Sequence, residues 1–279
     1  MHPEFVRLRR DFGWKPEPAE DPAVELPRTF EPGQDRDSTV FKDYQWAEMN
    51  ALINNSWWYH TRNKVIYRAL MCHEVKPTLW EIGCGSGVVT KYLSDFGVSV
   101  VGVEPSHHGA LLAMGKGLSV LKSHLQDLRL PTNSVSSIAM FDVLEHLANR
   151  DEILKEIHRV LEPDGHLVLT LPALMSLWSE FDEHGHQLRY NKRAVKKELQ
   201  RNGFLIEHVG YFFLFTVAPL YLLRALPFRL GRRQAVASKV SLRASGGIFG
   251  RALGRLEVAL ASRIPFGTSL IVIAKKVRL

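Results

Sequence analysis

The sequence predicts an α/β protein built on a parallel, doubly wound sheet with helices on both faces. The first observation is an alternation of short apolar segments with helical stretches that runs through most of the chain. The second is a glycine-rich turn, Gly83–Gly87, which joins the first apolar segment of this series to its first helix. Strand–helix alternation implies crossover connections, and these place successive strands parallel in one sheet.

The predicted elements follow in order along the chain. Apolar segments bounded by Gly, Pro or Ser are predicted as strands: Thr78–Ile82, Ser99–Val103, Leu118–Leu121, Val135–Phe141, His166–Leu171, Phe204–Phe212 and Thr268–Ala274. Helices are predicted before and between them: Phe41–Asn55, Tyr59–His73, Val88–Phe96, Arg150–Leu161 and Lys192–Asn202. The last of these helices is followed by Gly203, a residue type that commonly terminates helices.

Three regions are predicted. Residues 1–40 contain six prolines and no apolar periodicity, so we expect them to be disordered or draped over the domain. Residues 41–75 form N-terminal helices that act as a lid, and residues 76–279 form the α/β domain. This domain contains an insertion, residues 213–266, before its last strand.

Composition indicates a single large domain with additions, because the chain has 279 residues. It has two cysteines, Cys72 and Cys84, and opens without a secretory apolar segment, so we expect a cytoplasmic protein without disulfides. The net charge is +7. Nine basic residues and one acidic residue fall between Tyr211 and Arg263, so the basic surplus is local to the insertion and its borders.

The glycine-rich turn predicts a nucleoside-containing ligand. A strand ends at Ile82 and a helix begins near Gly87, so the unpaired N–H groups of the helix face the turn. The spacing G-x-G-x-G is one residue shorter than the G-x-G-x-x-G of dinucleotide-binding folds, which disfavours a nicotinamide dehydrogenase. Glu104 ends the next strand, where a carboxylate accepts hydrogen bonds from two ribose hydroxyls in this architecture.

Four motifs lie at the strand ends and turns of the predicted domain: Glu81–Gly87, Val101–Ser106, Phe141–Leu147 and Leu161–Thr170. The first two resemble the first and second motifs of class I S-adenosylmethionine-dependent methyltransferases. The other two resemble segments of the type 11 branch, which contains ubiquinone- and menaquinone-biosynthesis enzymes. The resemblance covers about residues 80–275 and implies a Rossmann-like sheet of seven strands with an antiparallel last strand. It also implies S-adenosylmethionine as the cofactor.

The resemblance further implies which residues hold the cofactor. The glycine motif lines its methionine portion, Glu104 holds the ribose, and the pair Leu125 and Gln126 flanks the adenine. The expected set is Glu81, Gly83, Cys84, Gly85, Gly87, Glu104, Leu125, Gln126, Phe141 and Asp142. The chain departs from the family where His124 stands in place of a frequent Asp. The adenine contacts are therefore less defined than those of the glycine turn.

The segment Ser56–Ile66 precedes the domain and contains two adjacent tryptophans and Arg62. We expect the guanidinium of Arg62 to pair with the carboxylate of the cofactor. Type 11 enzymes are similar in having an aromatic, arginine-containing segment in their N-terminal helix. Packing of the aromatic rings against the sheet is the alternative.

Catalytic candidates follow from the chemistry of methyl transfer, an in-line displacement in which O–H and N–H acceptors need a base. His146 follows the fourth strand, and histidine is the common base near neutral pH. His186 and Tyr190 fall in a His-x-x-Arg-Tyr segment similar to one at the acceptor pocket of type 11 relatives. For His146 a packing role at a helix start is the alternative. Asp182, His184 and His186 lie in one short stretch without a distant fourth ligand, so we predict no metal site.

The insertion begins with an apolar run, Val209–Leu223, which is followed by arginines. Its 15 residues include Pro219 and are too few for a membrane span, which needs about 20 residues. Two interpretations remain open. The run forms an interfacial helix or hairpin on an anionic membrane surface, or it forms the sixth strand and a core helix that caps the active site.

The predicted function is S-adenosylmethionine-dependent methyl transfer to a small-molecule, lipid-linked or glycan-like acceptor. Two alternatives stay open: a non-catalytic, membrane-associated protein that binds the cofactor, and a nucleic-acid methyltransferase. Nucleic acid is disfavoured as a partner because the basic residues adjoin an apolar run and do not interleave with aromatic residues. We expect a cytoplasmic protein, placed on the inner membrane face if the insertion binds lipid.

Overall fold

The computed structural model describes residues 2–15, 56–183, 185–232 and 248–277. Its strands are β1 (Leu79–Ile82), β2 (Val100–Val103), β3 (Val120–Leu121), β4 (Val135–Phe141), β5 (Leu161–Pro172), β6 (Phe204–Phe212) and β7 (Ser269–Lys276). They form one seven-stranded sheet in the order β3-β2-β1-β4-β5-β7-β6. The pairs from β3 to β5 are parallel, and β7 is antiparallel to both of its neighbours, β5 and β6. The predicted doubly wound sheet of seven strands with an antiparallel last strand is confirmed.

Helices connect the strands. They are α1 (Pro3–Phe12), α2 (Trp57–Cys72), α3 (Val88–Asp95), α4 (His107–Met114), α5 (Arg150–Val160), α6 (Glu180–Glu183), α7 (Lys192–Arg201), α8 (Val217–Leu220), α9 (Leu226–Arg229) and α10 (Ile248–Leu260). A π-helical turn, Tyr221–Ala225, joins α8 to α9. The predicted strand at His166 begins earlier, at Leu161, because residues after α5 already pair with the start of β4.

Two apolar cores lie on opposite faces of the sheet, as alternation along the strands requires. In β1, Trp80 packs in the core beneath α5 and α7, whereas Leu79 packs in the core beneath α2, α3 and α10. Strand β4 is buried along its whole length, which is typical of a parallel strand covered on both faces. The carboxyl ends of β1, β2, β4 and β5 therefore meet at one edge, where ligands bind in this architecture.

The N-terminal segment is ordered where the structure describes it. In residues 2–15, α1 packs against the amino end of the sheet. Leu8 and Trp14 supply apolar anchors in the core, and the indole Nε1 of Trp14 donates to the carbonyl of Leu128 at 2.9 Å. Phe5 and Leu8, three residues apart in α1, both pack in this core, a helical spacing that the proline-rich composition of the segment obscured.

Some predictions fall outside the described residues. These are the remainder of residues 1–40, the helix Phe41–Asn55, His184 and the central part of the insertion. The second predicted helix is present as α2 and begins at Trp57, two residues earlier than expected.

The insertion contains both packed and exposed parts. Residues Val209–Phe212 complete β6, and α8, the π-helical turn and α9 follow. Glu257 of α10 is fully buried and accepts the backbone N–H groups of Leu214 at 3.0 Å and Phe215 at 2.8 Å. Leu222 and Leu223 are 58% and 51% exposed. No helix in the described ranges has the length and apolar character needed to cross a membrane.

Candidate active site

The glycine turn after β1 has a backbone conformation that residues with side chains rarely adopt. Gly83, Gly85 and Gly87 have φ angles of 73°, 56° and 73°, in the left-handed region that favours glycine. A Cβ added to Gly83 would lie 2.7 Å from Cγ2 of Val143. The backbone N–H of Gly83 donates to the carbonyl of Val103 at 2.8 Å, which ties the turn to β2. The turn is therefore fixed at the edge of the sheet where β1 and β2 end.

Glu104 lies at the end of β2 beside this turn. Its Oε2 accepts the N–H of Gly85 at 2.7 Å, and its Oε1 accepts the N–H of Ser106 at 2.9 Å. Two backbone N–H groups therefore hold the carboxylate in place at the end of β2. A carboxylate fixed in this way suits the predicted acceptor of two vicinal hydroxyl groups.

Glu81 is buried within β1 on the face beneath α2 and α3. Its Oε2 accepts the hydroxyl of Thr90 at 2.6 Å. Burial raises the pKa of Glu81 to about 7, and the hydrogen bond from Thr90 opposes that rise. Glu81 therefore fixes α3 against the strand that carries the glycine turn.

Arg62 of α2 reaches the end of β4. Its Nη2 is 2.7 Å from Oδ2 of Asp142 and 3.3 Å from the hydroxyl of Thr170. The guanidinium lies 5.6 Å from the ring centroid of Trp58. Its Nε is buried and has no hydrogen-bond acceptor among the described residues. Arg62 thus keeps one donor for a ligand while it holds the N-terminal helix to the sheet.

The remaining predicted cofactor residues divide into two groups. Phe141 and Cys84 are buried at the ends of β4 and β1, next to the glycine turn. The side chain of Leu125 packs in the core, whereas Gln126 is exposed. Core residues enclose the side chain of Leu125. The predicted contact with adenine therefore falls to the exposed Gln126 and to the backbone of this pair.

His146 and His186 lie together at the same edge of the sheet, with ring centroids 4.7 Å apart. Nδ1 of His146 is 3.0 Å from the carbonyl of Gly185, and because a carbonyl only accepts, this nitrogen carries the proton. The Nε2 of the neutral ring is then a free acceptor. Burial lowers the pKa of His146.

Asp182 fixes His186 and Arg189 in place. It is fully buried, and its Oδ1 is 2.7 Å from both Nδ1 of His186 and Nε of Arg189. Its Oδ2 accepts the N–H and the hydroxyl of Ser179 at 2.9 and 3.0 Å. The His186–Asp182–Arg189 group is therefore a rigid polar cluster beside His146.

Glu145 is a buried acid between these groups. It is fully buried, and neither carboxyl oxygen has a hydrogen-bond partner among the residues that the structure describes. Burial and the nearby charge of Asp142 raise the pKa of Glu145 well above its usual range. The ligand atoms of Glu145, His146 and His186 lie within 4.8 Å of one another, a spacing that a metal ion could bridge. The absence of a metal site stays a prediction.

Tyr190, the third catalytic candidate, is buried in the core. Its side chain is 1% exposed, and its hydroxyl has no hydrogen-bond partner among the described residues. Burial raises the pKa of this hydroxyl. Tyr190 lies on an isolated bridge to Ala173 and supports the end of β5. The catalytic role of Tyr190 stays a prediction.

More than half of the chain matches a known protein family. Residues 58–209 match the model of the methyltransferase domain family, and this match covers more than half of the chain. The chain belongs to this family. The methyltransferase domain thus contains the glycine turn, Glu104, Arg62 and the His146–His186 pair.

Curated relatives agree with this assignment. A probable S-adenosylmethionine-dependent methyltransferase of Mycolicibacterium smegmatis is 25% identical over 163 residues, which cover 56% of this chain and 62% of the relative. A ubiquinone biosynthesis O-methyltransferase of Bradyrhizobium diazoefficiens is 31% identical over 109 residues, which cover 36% of this chain and 41% of the relative. The match thus spans less than two thirds of the length of each relative.

The solved structures agree on the fold. An S-adenosylmethionine-dependent methyltransferase of Thermotoga maritima has a TM-score of 0.53 and 15% identity, over 84% of this chain and 95% of that one. At this identity the likeness concerns the fold alone. The predicted cofactor, S-adenosylmethionine, is confirmed for the methyltransferase domain.

The residues of the domain fit this cofactor. The backbone N–H groups of Gly85 and Ser106 fix the carboxylate of Glu104 at the end of β2, and the buried Nε of Arg62 keeps a donor for the cofactor's carboxylate. The positive φ angles of Gly83, Gly85 and Gly87 carry the backbone past the strand ends without side chains. S-adenosylmethionine, when bound, supplies a methyl group on a sulfonium, which is the electrophile of the reaction.

Sequence analysis missed two functional residues of the methyltransferase site. Glu145 lies in the motif Phe141–Leu147 directly before His146, and an acid between apolar residues is a signal of burial that could have identified it. Asp182 was considered only as a metal ligand. Its spacing of four residues from His186 indicates a pair on one helical turn, which is the contact that the structure shows.

Proposed function

We propose that this protein transfers the methyl group of S-adenosylmethionine to a hydroxyl oxygen of a small-molecule or lipid-linked acceptor. The observation that carries the proposal is the hydrogen bond from Nδ1 of His146 to the carbonyl of Gly185 at 3.0 Å. It fixes the tautomer and orientation of the ring, so Nε2 is the nitrogen that accepts a proton. A hydroxyl acceptor needs such a base, whereas a neutral amine has its own lone pair for attack.

The proposed reaction is a single displacement. The hydroxyl oxygen forms a bond to the methyl carbon while the carbon–sulfur bond breaks, and the sulfur keeps the electron pair of that bond. The hydroxyl proton passes to Nε2 of His146. The products are the methyl ether, S-adenosylhomocysteine and a protonated imidazole, so atoms and charge balance.

The surroundings of His146 support its role as a base. Burial lowers its pKa, so the ring is neutral at pH 7 and ready to accept a proton. Asp182 holds Nδ1 of His186, which places the second imidazole against the first at 4.7 Å. His186 is therefore a positioning residue that restricts His146 from one side. The name of the Bradyrhizobium diazoefficiens relative, an O-methyltransferase, favours an oxygen acceptor.

An assay with cell extract and methyl-labelled S-adenosylmethionine tests the proposal. The label should enter a lipid or small-molecule fraction, and a His146→Asn variant that binds S-adenosylhomocysteine normally should transfer much less of it. His73→Asn removes a half-exposed histidine at the C-terminal end of α2, away from His146, and is the matched control. Label found only in nucleic acid, or no transfer by a cofactor-loaded protein into any fraction, would contradict the proposal.

The insertion favours an acceptor at a membrane surface. Leu222, Leu223 and Leu230 are exposed apolar residues, and Leu230 is 65% exposed. Arg229 and Arg232 are exposed basic residues close to them in the chain. Apolar and basic side chains on one short helical segment are typical of contact with anionic lipid. We therefore place the protein at the cytoplasmic face of an anionic membrane in this proposal.

A further inference from the structure

Two helices from distant parts of the chain pack together beside the cofactor site. Helix α2 carries Arg62, whereas α10 belongs to the insertion. Nη1 of Arg68 in α2 donates to the carbonyl of Val258 in α10 at 3.1 Å, although these residues are 190 positions apart in the chain. The side chain of Val258 packs in the same apolar core as Val65 and Ile66 of α2. The insertion is therefore attached to the helix that holds Arg62.

Gly254 of α10 lies directly against Thr61 of α2. A Cβ added to Gly254 would lie 2.5 Å from Oγ1 of Thr61, which is too close for van der Waals contact. Thr61 is 4% exposed and directly precedes Arg62 in the chain. Glycine is unfavourable inside a helix compared with alanine, so its presence here is explained by the close approach of the two helices.

A second contact joins the insertion to α2 near Arg62. The ring of Trp58 stacks on the ring of Phe213, with centroids 5.2 Å apart and an angle of 20° between the planes. Trp58 lies one helical turn before Arg62 and contacts its guanidinium at 5.6 Å from the ring centroid. The buried carboxyl group of Glu257 accepts the two backbone N–H groups that follow Phe213. Helix α10 thus reaches α2 both directly and through Phe213.

We propose that Gly254 is a positioning residue for Arg62, so that the insertion contributes to binding of S-adenosylmethionine. Nη2 of Arg62 is 2.7 Å from Oδ2 of Asp142, and hydrogen bonds weaken steeply when their distance or angle changes. A displacement of α2 therefore moves this guanidinium away from the opening of the site. Helix α10 lies outside residues 58–209, the part of the chain that matches the methyltransferase family. The inference goes beyond the proposed function, because it concerns the cofactor and holds for any acceptor.

Calorimetry with S-adenosylhomocysteine tests this inference. Gly254→Ala should weaken binding about tenfold, the loss expected for one charge-assisted hydrogen bond, because the added methyl group pushes α2 away. Alanine favours the helical conformation, so α10 itself should stay folded. Adding Thr61→Ala to this variant removes the clashing Oγ1 and should restore the wild-type affinity. Arg255→Ala changes an exposed position of α10 and is the matched control.

A double-mutant cycle separates positioning from a general structural effect. Arg62→Gln should weaken binding by itself, and Gly254→Ala should cause no further loss in the Arg62→Gln protein, because Gly254 acts through the guanidinium. Losses that add in the double variant overturn the inference. A Gly254→Ala protein with wild-type affinity, or a loss that Thr61→Ala does not restore, also overturns it.

Hydrogen exchange of the wild type provides a measurement that needs no substitution. Binding of S-adenosylhomocysteine should slow amide exchange in α10 as well as in α2, because the two helices move as one unit. Protection that is confined to α2 and the glycine turn would overturn the inference, even if the Gly254→Ala variant failed to fold. Thermal unfolding of each variant without the cofactor reports on its fold. Methyl transfer is not measured in these experiments, so their failure leaves the proposed function untouched.

Discussion

Arg62 and Asp142 form an ion pair across the opening of the cofactor site, with Nη2 2.7 Å from Oδ2. Arg62 lies in the N-terminal helix and is 6% exposed at its side chain, whereas Asp142 ends the fourth strand and is 31% exposed. Asp142 has a φ of 56°, and its Oδ1 accepts the hydroxyl of Thr170 at 3.0 Å. The helix that precedes the domain is therefore attached to the sheet at the site itself.

Glu104→Ala should weaken cofactor binding. The change removes the acceptor for the ribose hydroxyls and also leaves the N–H of Gly85 without its partner. One hydrogen bond to a charged group contributes about 1.5–3 kcal/mol, so the affinity should fall about tenfold or more. Calorimetry with S-adenosylhomocysteine measures it. Asp95→Ala removes an exposed carboxylate from α3 and is the control; equal affinities in the two variants would refute the ribose assignment.

The pH profile of turnover should reflect His146. The base acts when neutral, and its pKa lies below the ordinary value of 6.5, so activity should persist as the pH falls through 6.5 and decline at lower pH. His146→Asn should lower turnover about 10²–10⁴-fold and remove this decline. The cofactor affinity should change little. A variant that keeps both the rate and the profile of the wild type would show that the base lies elsewhere.

Chelation should leave activity unchanged. Burial raises the pKa of Glu145 and so disfavours the charged carboxylate that a metal ion needs, and Asp182 occupies Nδ1 of His186. Turnover is measured after dialysis against EDTA, with and without added Mg²⁺ or Zn²⁺. Loss of activity that either ion restores would assign Glu145, His146 and His186 to a metal instead.

Glu81→Gln should stabilise the cofactor-free protein at pH 7. The folded-state pKa of Glu81 is raised from 4.5 to about 7, so the folded protein holds a proton that the unfolded chain releases. The free energy of unfolding therefore falls as the pH rises from 4.5 to 7, by about 3 kcal/mol for this group. Denaturant unfolding at both pH values measures the difference. Glu152→Gln changes an exposed carboxylate and should keep the wild-type dependence of the unfolding free energy on pH. A Glu81→Gln protein that shows the same dependence as the wild type would contradict this account.

The double variant Arg229→Gln and Arg232→Gln should bind anionic vesicles less than the wild type. Each basic residue near such a surface contributes about 1 kcal/mol, and salt screens that contribution. Co-sedimentation at low and high salt measures it, with neutral vesicles for comparison. Lys196→Gln and Lys197→Gln remove two exposed charges from α7 and serve as the matched control. If the wild type sediments with neither kind of vesicle, the membrane interpretation is wrong and the insertion acts as a lid over a soluble acceptor.

Local chemistry made the sheet and the cofactor turn predictable. Strands β1 and β4 are buried along their whole length and are largely apolar in the sequence, and glycine is needed where φ is positive. The ribose acid, Glu104, follows from its place at the end of a strand. These features depend on residues that are close in the chain.

The acceptor side depends on contacts between distant segments. The pairing of Arg62 with Asp142 spans the domain, and Arg224 reaches Phe181 from the insertion. Neither contact has a local pattern. The burial of the Tyr190 ring likewise has no signal in the polar segment that contains it.

The insertion begins and ends at neighbouring residues of the sheet. The N–H of Thr268 donates to the carbonyl of Phe213 at 3.1 Å, so the inserted segment leaves and re-enters the sheet at one hydrogen-bonded pair. Segments of different length and composition can be exchanged between these two residues while β6 and β7 keep their register. A segment grafted between Phe213 and Thr268 therefore leaves the strands that carry the glycine turn in place, so the sheet tolerates replacement of this one module.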